Sequence, residues 1–120
     1  PYAIKYLKEN IKINKVEDRV QVYEGDCREI IKKYLQNSVN RVIMNLPLYA
    51  YKYVIDAIHS IDRVGVIHYH NIERLSPSAQ EIFGELSEKM GFEYKIVFQR
   101  TVRQYAPKKK HICSDVIVKR

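Results

Sequence analysis

The chain has two cysteines, Cys27 and Cys113, and no Cys-x-x-Cys pair. A disulfide framework and a cysteine-built zinc site are therefore excluded as organising devices, and a reducing cytoplasm is the expected compartment. No apolar run approaches the ~20 residues of a membrane span. No signal peptide, repeat, low-complexity tract or linker is visible. No nucleophile-elbow signature is present. No His-x-x-x-His pair occurs among the four histidines. His68 and His70 lie two apart on a predicted strand and share a face. A metal would need further ligands of suitable type, so they are expected to line a cleft or make hydrogen bonds. Acidic residues are few: 14, against 21 lysines and arginines, for a net charge of +7 and a pI near 9.4. That imbalance favours a polyanionic partner such as nucleic acid.

What remains is an ordinary apolar fraction of 46% in 120 residues, enough for one domain or part of one. Ile4, Leu7 and Ile11 recur at helical spacing, with Lys5, Lys8, Glu9 and Lys12 on the wet side, which predicts a helix over 2–14. Arg19 to Tyr23 is predicted as a strand ending at Gly25-Asp26. A short helix follows over 27–36. The β-branched run Arg41-Val42-Ile43-Met44 predicts an interior strand over 40–45, and Pro47, with no N–H for a ladder, must end it. A helix is expected over 48–61 and a strand over 64–69, with Gly65 weakening it locally. Ser76-Pro77 predicts the N-cap and first turn of a helix that runs to about Met90 and is capped by Gly91. Strands are predicted over 92–102 and 111–119, joined by a loop holding Tyr105-Ala106-Pro107 and Lys108-Lys109-Lys110. Alternating helices and strands closed by a strand pair give an α/β fold, with a parallel core and an antiparallel tail.

Three places carry candidate chemistry. Asn45-Leu46-Pro47 stands at the carboxyl end of a strand, where open α/β sheets bind ligands, and Asn45 offers both an acceptor and a donor. A turn is the plainer reading of that tripeptide taken alone. Gly25-Asp26-Cys27 also follows a predicted strand. An acidic residue there can accept from an adenine amino group, and backbone amides can donate to ring nitrogens; a strand-ending turn is again the alternative. Arg100, Arg103 and Lys108 to Lys110 form the densest basic run, with Tyr105 among them as a possible stacking platform. A solvated hairpin would look the same.

These phrases together resemble the catalytic domain of the archaeal and eukaryotic tRNA guanosine-37 N1-methyltransferases. The resemblance runs through Pro1-Tyr2-Ala3, Leu7-x-Glu9-Asn10-Ile11-x-x-Asn14, Asp18-Arg19-Val20, Gly25-Asp26-Cys27-Arg28-Glu29, Arg41 to Pro47, Ile67-His68-Tyr69 and Tyr105-Ala106-Pro107. It implies a Rossmann-like class I methyltransferase fold, S-adenosylmethionine as cofactor and tRNA as partner. It implies Asn45 and Pro47 as catalytic positions, and Asp26, Cys27, Asn45, Leu46 and Pro47 at the cofactor. Tyr49 and His68 follow as cleft-lining candidates, and Arg100, Arg103, Lys108, Lys109 and Lys110 as contacts to RNA phosphates. A sister family, which transfers the aminocarboxypropyl group of the same cofactor in wybutosine synthesis, is similar at Ile67 to Asn71 and at Tyr105 to Pro107. Asn45-Leu46-Pro47 sides with the methyltransferases. A non-catalytic RNA-binding fragment is the alternative from another class.

One departure from the family pattern is large. Pro1 looks like the proline of an Asn-Pro that, in the family, follows two strands and a glycine-containing loop. Residues 1–120 are therefore expected to be a partial methyltransferase domain, lacking its first strands, the cofactor loop, the general base and the tRNA-binding domains upstream. Taken alone, the piece is expected to be inactive. In the family fold the missing strands stand between the strands at 19–23 and 40–45, which would leave those ~14 Å apart at ~4.8 Å per step.

Overall fold

The computed structural model describes residues 2–120; Pro1 lies outside them. Helix α1 (Tyr2–Ile13) is followed by irregular chain, then α2 (Cys27–Ile30), which continues without a break as a wider turn over Ile31–Leu35. Strand β1 (Val39–Met44) leads through a tight turn at Ala50–Tyr53 into α3 (Val54–Ser60), and β2 (Ile61–Ile72) begins at the next residue. Helix α4 (Ala79–Met90) and the hairpin of β3 (Glu93–Ala106) and β4 (Lys109–Lys119) complete the chain.

The strands form one sheet in the order β1-β2-β4-β3. β1 runs parallel to β2, β4 antiparallel to β2, and β3 antiparallel to β4. This is the expected parallel core with an antiparallel tail. Strand β2 alternates as a half-covered strand should. Ile67 and Tyr69 are buried beneath α3 and α4 with Val54, Ile58, Phe83, Val116 and Val118. Tyr69 and Phe83 meet edge to face at 5.7 Å between ring centres, and the Tyr69 hydroxyl donates to the Pro77 carbonyl at 2.7 Å. The other side, which carries Val66, His68 and His70 of β2, is more open among the described residues. Along it, Ile43 is 69% exposed, Val64 51%, Phe98 50% and Ile117 38%.

Four predicted elements are corrected. Residues 19–23 form no strand: a strand needs a ladder partner for its backbone groups, and none of the described strands pairs with this segment. The helix expected from Ser76 starts later, because Ser78 is the N-cap. Its hydroxyl accepts from the Glu81 amide at 3.2 Å and donates to the Glu81 carboxylate at 3.0 Å. Gly91 does cap the far end, at φ 76°. Strand β2 runs well beyond 64–69 at both ends, since β1 and β4 flank it over most of its length. The basic loop shrinks to a turn at Pro107-Lys108, with Lys108 at φ 61°, so Lys109 and Lys110 belong to β4.

Gly65 has a steric role that propensity alone does not show. It sits where the β1–β2 register shifts, and a Cβ there would stand 2.5 Å from Ile61 Cδ1 and 3.0 Å from the Asn40 carbonyl. Gly65→Ala is expected to destabilise the fold by about 1–3 kcal/mol, the usual range for overpacking. A lower denaturant midpoint at unchanged slope is the expected result.

Candidate functional site

β1 ends at Met44 and the next residues turn sharply across the strand ends. The Leu46 amide donates to the Met44 carbonyl at 3.0 Å, and the Leu46 carbonyl accepts from the Tyr49 and Ala50 amides at 3.0 and 2.7 Å. Ser76 holds this turn from the side. Its hydroxyl donates to the Pro47 carbonyl at 2.9 Å and accepts from the Ile72 amide at 2.9 Å. One small hydroxyl thus ties the end of β1 to the end of β2. The local pattern at Ser76-Pro77 suggests a helix cap, and nothing local signals the contact of Ser76 with a carbonyl 29 positions away.

Asn45 and Leu46 form a ridge between two hollows. The first, about 620 Å³, is lined by Gly25, Asp26, Cys27, Met44, Tyr53 and Ala57 among others. The second, about 560 Å³, is lined by Pro47, Tyr49, His70, Arg103, Tyr105 and His111 among others. The structure therefore brings Asp26, Cys27, Asn45 and Leu46 together around one space, and Asn45, Pro47, Tyr49 and Arg103 around the other. His68 lines neither of these. It accepts from Arg41 at 2.6 Å through Nε2 and bonds Asp115 at 2.7 Å through Nδ1. Arg41 can only donate and a carboxylate only accept, so the ring takes the tautomer with its proton on Nδ1.

Asp26 caps α2. One of its oxygens accepts from the Arg28 amide at 2.9 Å and Nε at 3.1 Å, the other from the guanidinium at 2.8 Å. The Arg28 bonds hold the carboxyl down at about 2. A carboxylate has about four acceptor positions, so one stays open toward a ligand. Arg28 lies over the Tyr53 ring at 5.4 Å, which fixes the rim of this hollow. The Cys27 thiol is pushed up by burial and by Asp26 and Asp56, which leaves it protonated and a poor nucleophile at neutral pH. Cys113 is buried on β4, and burial raises it too.

In the second hollow His70 Nδ1 and His111 Nε2 lie 2.8 Å apart. Both rings are pushed down from the ordinary histidine value, first by burial. His111 and Arg100 add to this at His70, and Arg103 at His111. The sequence pattern places His70 and His111 on separate predicted strands and gives no sign that they meet; only the β2–β4 pairing joins them. The hairpin tip is stitched to the end of β2, since the Lys110 amide donates to the Glu73 carboxylate at 3.0 Å and the Glu73 amide to the Lys110 carbonyl at 3.0 Å. Lys108 to Lys110 are thereby held at the end of the sheet where β1 and β2 finish. Among the described residues no group of three His, Cys, Asp or Glu side chains is arranged to hold a metal, and no helix is long and apolar enough to cross a membrane.

Comparison with known proteins gives consistent matches. The model of the TRM5/TYW2 methyltransferase domain matches residues 1–106. The chain is 40% identical to tRNA (guanine(37)-N(1))-methyltransferase Trm5b of Pyrococcus abyssi, covering 96% of this chain and 34% of that protein. It is 31% identical to the tRNA(Phe) (4-demethylwyosine(37)-C(7)) aminocarboxypropyltransferase of Pyrococcus horikoshii, covering 98% of this chain and 42% of that protein. The crystal structure of P. abyssi Trm5b superposes with a TM-score of 0.80 at 38% identity, over all of this chain and 36% of that one. That of P. horikoshii TYW2 in complex with MeSAdo superposes with a TM-score of 0.88 at 30% identity, over 99% of this chain and 45% of that one. The chain thus spans between about a third and a half of the length of these relatives.

The Ser76 contacts make a direct test of how the ridge is held. Ser76→Ala leaves the Ile72 amide and the Pro47 carbonyl without this partner, and is expected to lower stability by about 1–3 kcal/mol. Amide exchange should quicken first at Leu46, Tyr49 and Ala50. Uniform quickening across the whole sheet, with no excess at these amides, would mean that Ser76 does not hold the turn.

Proposed function

The chain belongs to the TRM5/TYW2 methyltransferase family, and on that premise we propose that residues 1–120 are part of the catalytic domain of a tRNA methyltransferase. The reaction is transfer of the methyl group of S-adenosylmethionine to N1 of guanosine 37. The observation that carries this reading is the Asn45-Leu46 ridge with a hollow on either side. Two reactants held on opposite faces of one rigid turn meet at a fixed distance and angle, which is most of what this chemistry needs.

The first hollow fits the cofactor. Its volume falls in the ordinary range for a small-molecule site, its walls include Ile31, Met44 and Ala57, and Asp26 keeps an open acceptor at its rim. Asp26 takes the adenine amino group, and the Cys27 amide donates to an adenine ring nitrogen. When bound, the cofactor supplies a sulfonium methyl that is already electrophilic. The second hollow takes the target guanine, turned out of its stack. Asn45 holds the edge of the base through its amide, and Leu46 and Pro47 shape the wall between base and cofactor. The proton on N1 must leave, and among the described residues no carboxylate lines the second hollow. We place the general base, the loop for the cofactor's amino-acid part and the domains that read the tRNA in the remainder of the protein. Arg100, Arg103 and Lys108 to Lys110 contact RNA phosphates, and the setting is cytoplasmic.

Two observations favour different members of the family. Backbone likeness is higher to the P. horikoshii transferase, at a TM-score of 0.88 against 0.80. Sequence identity is higher to the methyltransferase, at 40% against 31%. The choice of transferred group is made at the ridge, and Asn45-Leu46-Pro47 resembles the methyltransferases. Full-length protein, S-adenosylmethionine and a tRNA transcript with guanosine at position 37 should yield 1-methylguanosine at that position. No product on that transcript, with an aminocarboxypropyl adduct on tRNA carrying 4-demethylwyosine, would move the protein to the sister reaction.

Two variants separate the two hollows. Asp26→Ala in the full-length protein is expected to weaken cofactor binding, read by calorimetry. Because Arg28 keeps this carboxylate ionised down to about pH 2, its contribution stays constant across neutral pH. Asn45→Ala is expected to slow single-turnover methylation on the order of 10- to 100-fold, the worth of about 1.5–3 kcal/mol of hydrogen bonding, with little change in cofactor affinity. Lost cofactor affinity with an intact rate would assign Asn45 to the other ligand.

A further inference from the structure

We propose that Arg103 and the imidazole pair of His70 and His111 form an anion site in the second hollow, which takes a backbone phosphate of the bound RNA beside the target nucleoside and takes up a proton in doing so. The proposal rests on the reading above that this hollow receives a nucleoside of tRNA. Its basis is the placement of three groups. β3 sets Arg103 opposite His111 in the β3–β4 register, and β2 sets His70 diagonally across from it on the same face of the sheet. All three line the hollow, no carboxylate does, and Arg103 makes no salt bridge among the described residues.

The hydrogen-bond count then says what the site lacks. The two rings share one N–H across 2.8 Å. Their outer nitrogens, His70 Nε2 and His111 Nδ1, have no protein partner. No side-chain nitrogen or oxygen is both buried and unpartnered among the described residues, so these two nitrogens reach solvent. A neutral pair shows one outer donor and one outer acceptor. With one further proton both outer nitrogens carry hydrogen, and with Arg103 the cluster presents donors alone. A phosphate presents acceptors alone, so it matches the protonated pair and not the neutral one.

The surroundings set when that proton arrives. His70 faces His111, Arg100, His68 and Asp115, and His111 faces His70 and Arg103. The only carboxylate among these, Asp115, is already bonded to His68. Burial and the two guanidiniums keep the pair neutral until an anion offsets their charge. A phosphate against Arg103 reverses the local sign, and the pair then takes its proton from solvent. Binding linked to proton uptake strengthens as pH falls.

The test uses full-length protein and a tRNA transcript with guanosine at position 37. Between about pH 8 and about pH 6, wild-type affinity for tRNA should tighten by up to roughly tenfold per pH unit. His70→Gln and His111→Gln should lose that dependence, and calorimetry in two buffers of different ionisation heat should show uptake of a proton by wild type alone. Arg103→Gln, at an exposed position, should weaken binding and lower the slope of log affinity against log salt by roughly one. S-adenosylmethionine affinity monitors folding of each variant. An equal pH dependence in wild type and both histidine variants, or no proton uptake, overturns the proposal. So does a loss of rate at saturating tRNA with affinity unaltered, which would place the pair on the chemistry. Methylation by wild type is scored separately: its absence overturns the proposed reaction and leaves the binding result to stand or fall alone.

Discussion

Pro47 has no N–H to give to a ladder, and the organisation of the site follows from that single missing donor. β1 pairs with β2 through Met44, opposite Tyr69, and cannot be extended much further. The chain must cross the strand ends instead of running on. The Leu46 carbonyl then accepts from two amides, and Ser76 reaches over to the Pro47 carbonyl. The result is a turn with little freedom, standing at the end of the sheet with space on both sides. A strand that ran three residues longer would have filled that space with its own backbone.

The two faces of the sheet differ in kind. Beneath α3 and α4 the contacts are apolar and closed, and the buried phenol of Tyr69 has its hydroxyl satisfied by Pro77. The opposite face mixes exposed Ile43, Val64, Phe98 and Ile117 with a cross-strand chain from Arg41 through His68 to Asp115. That chain spans β1, β2 and β4, so it ties the parallel pair to the antiparallel tail by charge-assisted bonds. The irregular course of residues 19–23 belongs to the same picture. Those residues have the composition of a strand, but a strand is a relation between two segments and β1 offers its free edge to no described neighbour.

Charge is distributed in the same sense. The chain carries a net +7, and the basic residues of the hairpin, together with Arg103, gather at the end of the sheet where the ridge stands. The stitch between Glu73 and Lys110 holds the hairpin tip against the end of β2.

Much of this was legible in the sequence. The periodicity of Ile4, Leu7 and Ile11, the β-branched run before Asn45, and the stop at Pro47 are local signals, and local signals decide where helices and strands form. The resemblance carried by Asp26, Asn45 and Tyr105 with their neighbours pointed to the family through order and spacing along the chain. The failures came where an outcome depends on a distant partner. Ser76 looks like a helix cap until the Pro47 carbonyl is known to lie within reach, and the cap passes to Ser78. Lys109 and Lys110 look like a loop until β3 is present to pair with them. His70 and His111 are unremarkable 41 positions apart, and become one hydrogen-bonded pair only when the antiparallel register sets them side by side. The sequence by itself determined the elements, the charge and the chemically able residues, because each rests on composition and short-range pattern. Only the tertiary structure decided which of those residues share a hollow, because that is set by strand order and register, and both arise from contacts that no local stretch contains.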